Sequence, residues 1–98
     1  MGGMIGGLQQ QIRAMQAEAE KQEVEGTAAG GKVVVRMTGT QEVLAVKIDA
    51  SVLADRELTE DLVRAATNDA VRRSREAVQA QLRGIAAKMG LPPGLLGL

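Results

Sequence analysis

The chain has 98 residues, with 12 basic and 12 acidic side chains, and it lacks His, Cys and every aromatic residue. The length predicts one domain over residues 1–98, near the size at which a single core is only marginally sufficient. Without imidazole or thiol, the commonest general base, the commonest metal ligand and the most reactive nucleophile are gone, so a non-enzymatic protein without metal or cofactor is expected.

The core must come from Ile, Leu, Val, Met and Ala, and so Ala-rich a core gains by sharing a seam with a second copy. The absence of Cys fits a reducing compartment. The opening "MGGMIGGL" is too short for a signal segment and has no basic flank, and no apolar run approaches a membrane span. A soluble, cytoplasmic protein is expected.

In chain order, residues 1–22 read as a helix, clearest from Met4 to Gln22. Ile5, Leu8, Ile12, Met15 and Ala19 recur at spacings of three and four, the pattern of a packed seam. Four glycines, at positions 2, 3, 6 and 7, weaken its start.

Residues 23–48 read as three short strands in an antiparallel meander. "EVEGTA" leads to the turn signal Gly30-Gly31, "KVVVRMT" leads to a turn at Gly39–Glu42, and "VLAVKI" follows. Alternation puts Val33, Val35 and Met37 on one face of the second strand. It puts Leu44, Val46 and Ile48 opposite Val43, Ala45 and Lys47 in the third. The fully apolar face is expected to be covered by helices.

"DASVLADRE" reads as a connector. Residues 55–89 then form a long helix, with Asp55 as N-cap and Glu57, Glu60 and Asp61 near its positive end. Gly90 and Pro92 stop it, and residues 90–98 form a Pro/Gly tail. From Leu58 to Met89 the helix runs roughly 48 Å, more than a three-stranded sheet can cover, so part of it must project or find another partner.

The neutral total hides an uneven distribution. From Leu62 to the end the chain carries Arg64, Arg72, Arg73, Arg75, Arg83 and Lys88 against Asp69 and Glu76, after an acidic centre. At about 100° per residue, Arg64, Asn68, Arg72, Arg75, Gln79 and Arg83 fall in a sector about 100° wide. Arg73 is displaced by about 100° and suits a salt bridge or an interface rim. Asp69 and Glu76 flank and dilute the stripe.

A solvated outer face explains most arginine clusters of this size. Arginine in place of lysine leans towards phosphate, and the missing aromatics disfavour single strands and point to a duplex backbone. Other candidates are weaker. Glu23 and Glu25 fit a charged edge strand better than a cation site. Glu57, Glu60 and Asp61 fit helix electrostatics, and Ser51 and Ser74 have no base or nucleophile elbow. The "LPPGLLGL" tail suits a docking peptide or an arm.

Taken end to end, the chain resembles the YbaB/EbfC family of bacterial nucleoid-associated proteins. The resemblance rests on the Gly/Met start and Gln/Met-rich first helix, "VEGTAAGGKVVV", "VKIDASVL", "EDLVRAATNDAVRRS" and "MGLPPG" in that order. It implies an α+β fold of helix, three-stranded antiparallel sheet and long C-terminal helix, paired through the sheets into a tweezer-like homodimer. Val33, Val35, Met37, Leu44, Val46 and Ile48 are the expected dimer interface.

The resemblance also implies duplex DNA as partner, localisation at the nucleoid, and roles in nucleoid organisation, gene regulation and DNA protection. Arg72, Arg75 and Arg83 are the leading candidates for phosphate contact, with Arg64, Lys88, Gln79, Asn68 and Arg13 as secondary ones. The first helix departs from relatives that are Lys-rich there, leaving Arg13 and Lys21 as its bases, and Thr67 stands where an aromatic is common. The alternative reading is an assembly module without nucleic-acid contact, in which the long helix and tail dock onto another protein.

Overall fold

A computed structural model describes the backbone of residues 2–90 and the side chains from position 7 to 90. Helix α1 (Gly2–Lys21) is followed by strands β1 (Glu23–Ala28), β2 (Val33–Thr38) and β3 (Val43–Ile48), a short helix α2 (Ala50–Leu53) and the long helix α3 (Arg56–Lys88). The sheet is antiparallel in the order β1-β2-β3, so the predicted α-β-β-β-α order and meander are present. The side chain of Ile5, Pro92 and the tail from position 91 lie outside the described residues.

Each turn has a local cause. Between β1 and β2 the backbone of Ala29, Gly30 and Gly31 runs through left-handed φ of 54°, 67° and 93°, a path that two glycines make accessible. Between β2 and β3, the Thr38 hydroxyl accepts the Glu42 amide at 3.1 Å, and the Thr38 amide donates to the Glu42 carbonyl at 2.9 Å. The Gly39 amide donates to the carbonyls of both Ala19 and Gln22 at 2.9 Å, which fastens the end of α1 to this turn.

The connector holds the short helix α2, which the sequence reading missed. Asp49 caps it by accepting the Ser51 amide at 2.8 Å, and Val52 is buried beneath it. Asp55 caps α3 as predicted, accepting the Leu58 amide at 3.1 Å. At the other end, Gly90 takes φ +70° and donates to the Ala87 carbonyl at 3.2 Å, ending the helix.

The core is one layer of α3 on β1 and β2. Val33, Val35 and Met37 are at most 2 % exposed and pack with Val52, Ala66 and Ala70. Each larger side chain contributes about 1.5–3 kcal/mol when fully buried. The alanines of α3 let the helix approach closely where Gly26 of β1 presents no side chain. Val33, Val35 and Met37, expected in a dimer interface, are thus buried within the single chain against α3.

β3 differs from its partners because α3 covers only β1 and β2. A bulge places Leu44 as an extra residue between the pairs Arg36–Ala45 and Met37–Val43. The simple alternation predicted for β3 therefore breaks, and Val43 joins the face of Met37. Ile48 is half-buried, whereas Val43, Leu44 and Val46 stay 48 %, 41 % and 46 % exposed.

The molecule is elongated, 62 × 23 × 16 Å. At about 1.5 Å per residue α3 alone spans roughly 50 Å, and its C-terminal half runs past the sheet as predicted. There α1 lies alongside it across a groove lined by Ala14, Met15, Gln81 and Ile85. Met15 and Ala19 of the predicted α1 seam are half-buried and buried, but Leu8 and Ile12 are exposed. Among the described residues, no helix is long and apolar enough to cross a membrane.

Candidate nucleic-acid interface

The inward face of α3 is set by Ala66, Ala70 and Ser74, all wholly buried. At about 100° per residue these lie about 120° to 200° around the helix from Arg72. Gln81 and Ile85, which face α1, lie on that same side. From Arg64 to Arg75 the stripe therefore points away from the sheet, whereas just past Arg83 it borders Ala86, which is 2 % exposed and lies only about 40° around the helix from Arg72. Arg64, Asn68, Arg72, Arg75, Gln79 and Arg83 are all exposed along it.

Two predicted contributors stand apart. Lys88 is exposed but sits about 160° around the helix from Arg72, at its last turn. Arg13 is exposed on α1, which lines the opposite side of α3. A single continuous surface thus contains Arg64, Asn68, Arg72, Arg75, Gln79 and Arg83, but neither Lys88 nor Arg13.

The arginines of the stripe differ in their partners. Arg64 donates to Asp61 at 3.3 Å, one turn earlier, an exposed pair of small energetic weight. Arg72 donates to Asp69 through Nη2. No ion pair holds Arg75 or Arg83 among the described residues. Arg73, outside the stripe, donates through Nε to Asp69 at 3.1 Å, the salt bridge that its displaced angle suggested.

Asp69 does more than dilute the stripe. Its Oδ2 accepts the Thr27 amide at 3.0 Å, from the edge strand β1, together with Arg73; its Oδ1 accepts Arg72. The Thr27 amide, then the arginine partners, hold the Asp69 carboxyl below its ordinary pKa. Its spacing of three and four from Arg72 and Arg73 is the helical ion-pair signal. The link to Thr27 has no signal in the sequence, because it depends on how β1 docks.

Three of the acidic candidates, Glu23, Glu60 and Asp61, form ion pairs. Glu23 pairs with Arg36 across β1 and β2 at 3.8 Å, and Glu60 pairs with Arg56 at 2.9 Å. Among the described residues, no group of three or more acidic side chains is placed to hold a metal ion.

The sequence matches the YbaB/EbfC DNA-binding family over residues 1–89. The chain belongs to this family. Among YbaB/EbfC relatives, a nucleoid-associated protein of Nitrobacter hamburgensis is 46% identical over 90 residues, covering 90% of this chain and 85% of that protein. A nucleoid-associated protein of Rhodopseudomonas palustris is 44% identical over the same length and coverage. In three dimensions, an uncharacterized protein of Helicobacter pylori superposes with a TM-score of 0.71 at 25% identity, over 90% of each chain. In this YbaB/EbfC chain the stripe lies exposed along the longest helix.

Proposed function

We propose that this YbaB/EbfC protein is a non-enzymatic, nucleoid-associated protein that binds duplex DNA as a homodimer, chiefly through backbone phosphates. The observation that carries the reading is the exposed alignment of Arg72, Arg75 and Arg83 along one side of α3. From Arg72 to Arg83 the stripe extends about 16 Å along the helix. A guanidinium fork suits phosphate oxygens, and phosphate contacts position a protein without reading bases. Organisation of the nucleoid, gene regulation and DNA protection would follow from such binding.

The dimer is supported by apolar surface that one protomer leaves open. Val43, Leu44 and Val46 on β3 and Leu8 and Ile12 on α1 are each more than 40 % exposed. A small domain rarely leaves that much aliphatic surface in water without a partner. Leu44, Val46 and the half-buried Ile48 are the members of the expected interface still accessible to a second copy.

Fluorescence anisotropy with a random-sequence duplex tests the reading. The wild-type protein binds, and the triple replacement of Arg72, Arg75 and Arg83 by Ala abolishes binding without changing the oligomeric state. Binding unaffected by the triple replacement would move the contact elsewhere. No binding by the wild type would favour the assembly-module reading.

A further inference from the structure

The carboxylate of Asp69 is nearly enclosed, its side chain 13 % exposed, while Arg72 in front of it is 66 % exposed. Behind the carboxylate, Oδ2 is gripped by the Thr27 amide at 3.0 Å and by Arg73 Nε at 3.1 Å. One of these donors belongs to the backbone of β1 and the other to the next turn of the same helix. That leaves Oδ1 pointing at Arg72, which donates one Nη2 hydrogen to it. The rest of the Arg72 fork has no other partner among the described residues and is exposed along α3 with Arg75 and Arg83.

We propose that Asp69 is a positioning residue for nucleic-acid binding: anchored by Thr27 and Arg73, it holds the Arg72 guanidinium in one orientation for a backbone phosphate. This rests on the duplex-binding reading above. The physical gain is pre-organisation. An unrestrained arginine at the surface loses rotamer freedom when it meets a phosphate, and one already oriented by a fixed carboxylate loses less. The cost is one negative charge beside the polyanion, offset locally because two arginines share it. Arg73 thereby takes a role distinct from its neighbours: it orients the carboxylate, and the carboxylate orients Arg72.

The opposite assignment is that Asp69 occupies Arg72 in competition with phosphate. The two differ in sign, so a double-mutant cycle on the full chain separates them. Asp69→Asn keeps an oxygen that can accept the Thr27 amide while removing the charge that holds Arg72. Positioning predicts that D69N weakens duplex binding by about three- to tenfold and lowers the salt slope, as happens when one fewer phosphate is neutralised. Arg72→Lys, which leaves Asp69, Thr27 and Arg73 in place and keeps the charge, weakens binding to a comparable extent. In an Arg72→Ala background, D69N costs nothing further, because the residue through which Asp69 acts is gone.

Binding by D69N tighter than that of the wild type overturns the proposal and makes Asp69 a competitor. A full D69N effect that persists in the R72A background also overturns it, because Asp69 then acts through the fold alone. A wild-type protein that fails to bind the duplex overturns the duplex reading itself, and this proposal with it. A binding wild type with an indifferent D69N removes only the role of Asp69.

Discussion

Gly26 of β1 lies so close to Ala70 of α3 that a β-carbon on Gly26 would stand 2.2 Å from the Ala70 backbone nitrogen. The same carbon would meet the Ala66 carbonyl oxygen, also at 2.2 Å. These obstacles are backbone atoms of a continuous helix and cannot swing aside. The close approach sets the depth at which α3 seats on the sheet, and with it the burial of Val33, Val35 and Met37. Gly26→Ala should therefore destabilise the protein by about 1–3 kcal/mol, the usual range for overpacking. Urea denaturation would show this as a lower midpoint, and an unchanged midpoint would mean that the helix does not seat so closely.

Acid should loosen the junction between β1 and α3. The folded state holds the Asp69 carboxyl below its ordinary pKa, chiefly through the Thr27 amide, and Asp49 is lowered likewise by Ser51. A carboxyl depressed on folding contributes stability that is fully present above the unfolded value, near pH 4, and is lost as pH falls through the folded value. Thermal midpoints measured from pH 6 to pH 2 should fall below about pH 4. D69N should flatten part of that fall, and an identical pH profile for D69N would contradict the contribution of Asp69.

The oligomeric state should depend on the uncovered part of the sheet. Val46 is 46 % exposed even though its neighbour in the sheet, Val35, is wholly buried. Val46→Asp places a charge on this open surface and spares the core of the protomer. Sedimentation velocity should show a wild-type dimer and a V46D monomer with an unchanged helical circular-dichroism signal. A V46D protein that remains dimeric would move the interface to α1, where Leu8→Asp with Ile12→Asp should then separate the protomers.

Much of this architecture is legible in the sequence because its causes are local. Asp55 precedes an amphipathic run and caps α3, Gly30-Gly31 marks a turn that needs left-handed backbone, and Gly90 ends the last helix. The alignment of Arg72, Arg75 and Arg83 along one side of α3 follows from helical geometry alone. What is not legible depends on which surfaces meet.

Val33, Val35 and Met37 read equally well as core or as interface, and only the docking of Ala66 and Ala70 on Gly26 assigns them to the core. The bulge at Leu44 shifts register without any glycine or proline to announce it. The short helix α2 is hidden in a connector because a single capping aspartate, Asp49, was its only signal. Asp69 was visible as an acid among arginines, but its purpose comes from a strand 42 residues away.

Phosphate binding by the exposed arginine face of α3 is tested most sharply by the salt dependence of duplex affinity. If a dimer neutralises about 4–8 phosphates through that face, the logarithm of affinity should fall with the logarithm of salt concentration at a slope of roughly −4 to −7. Replacing Arg75 or Arg83 by Ala should make that slope shallower by about one for each phosphate no longer neutralised. A slope near zero for the wild-type protein, or one unmoved by those replacements, would contradict phosphate binding by this stripe.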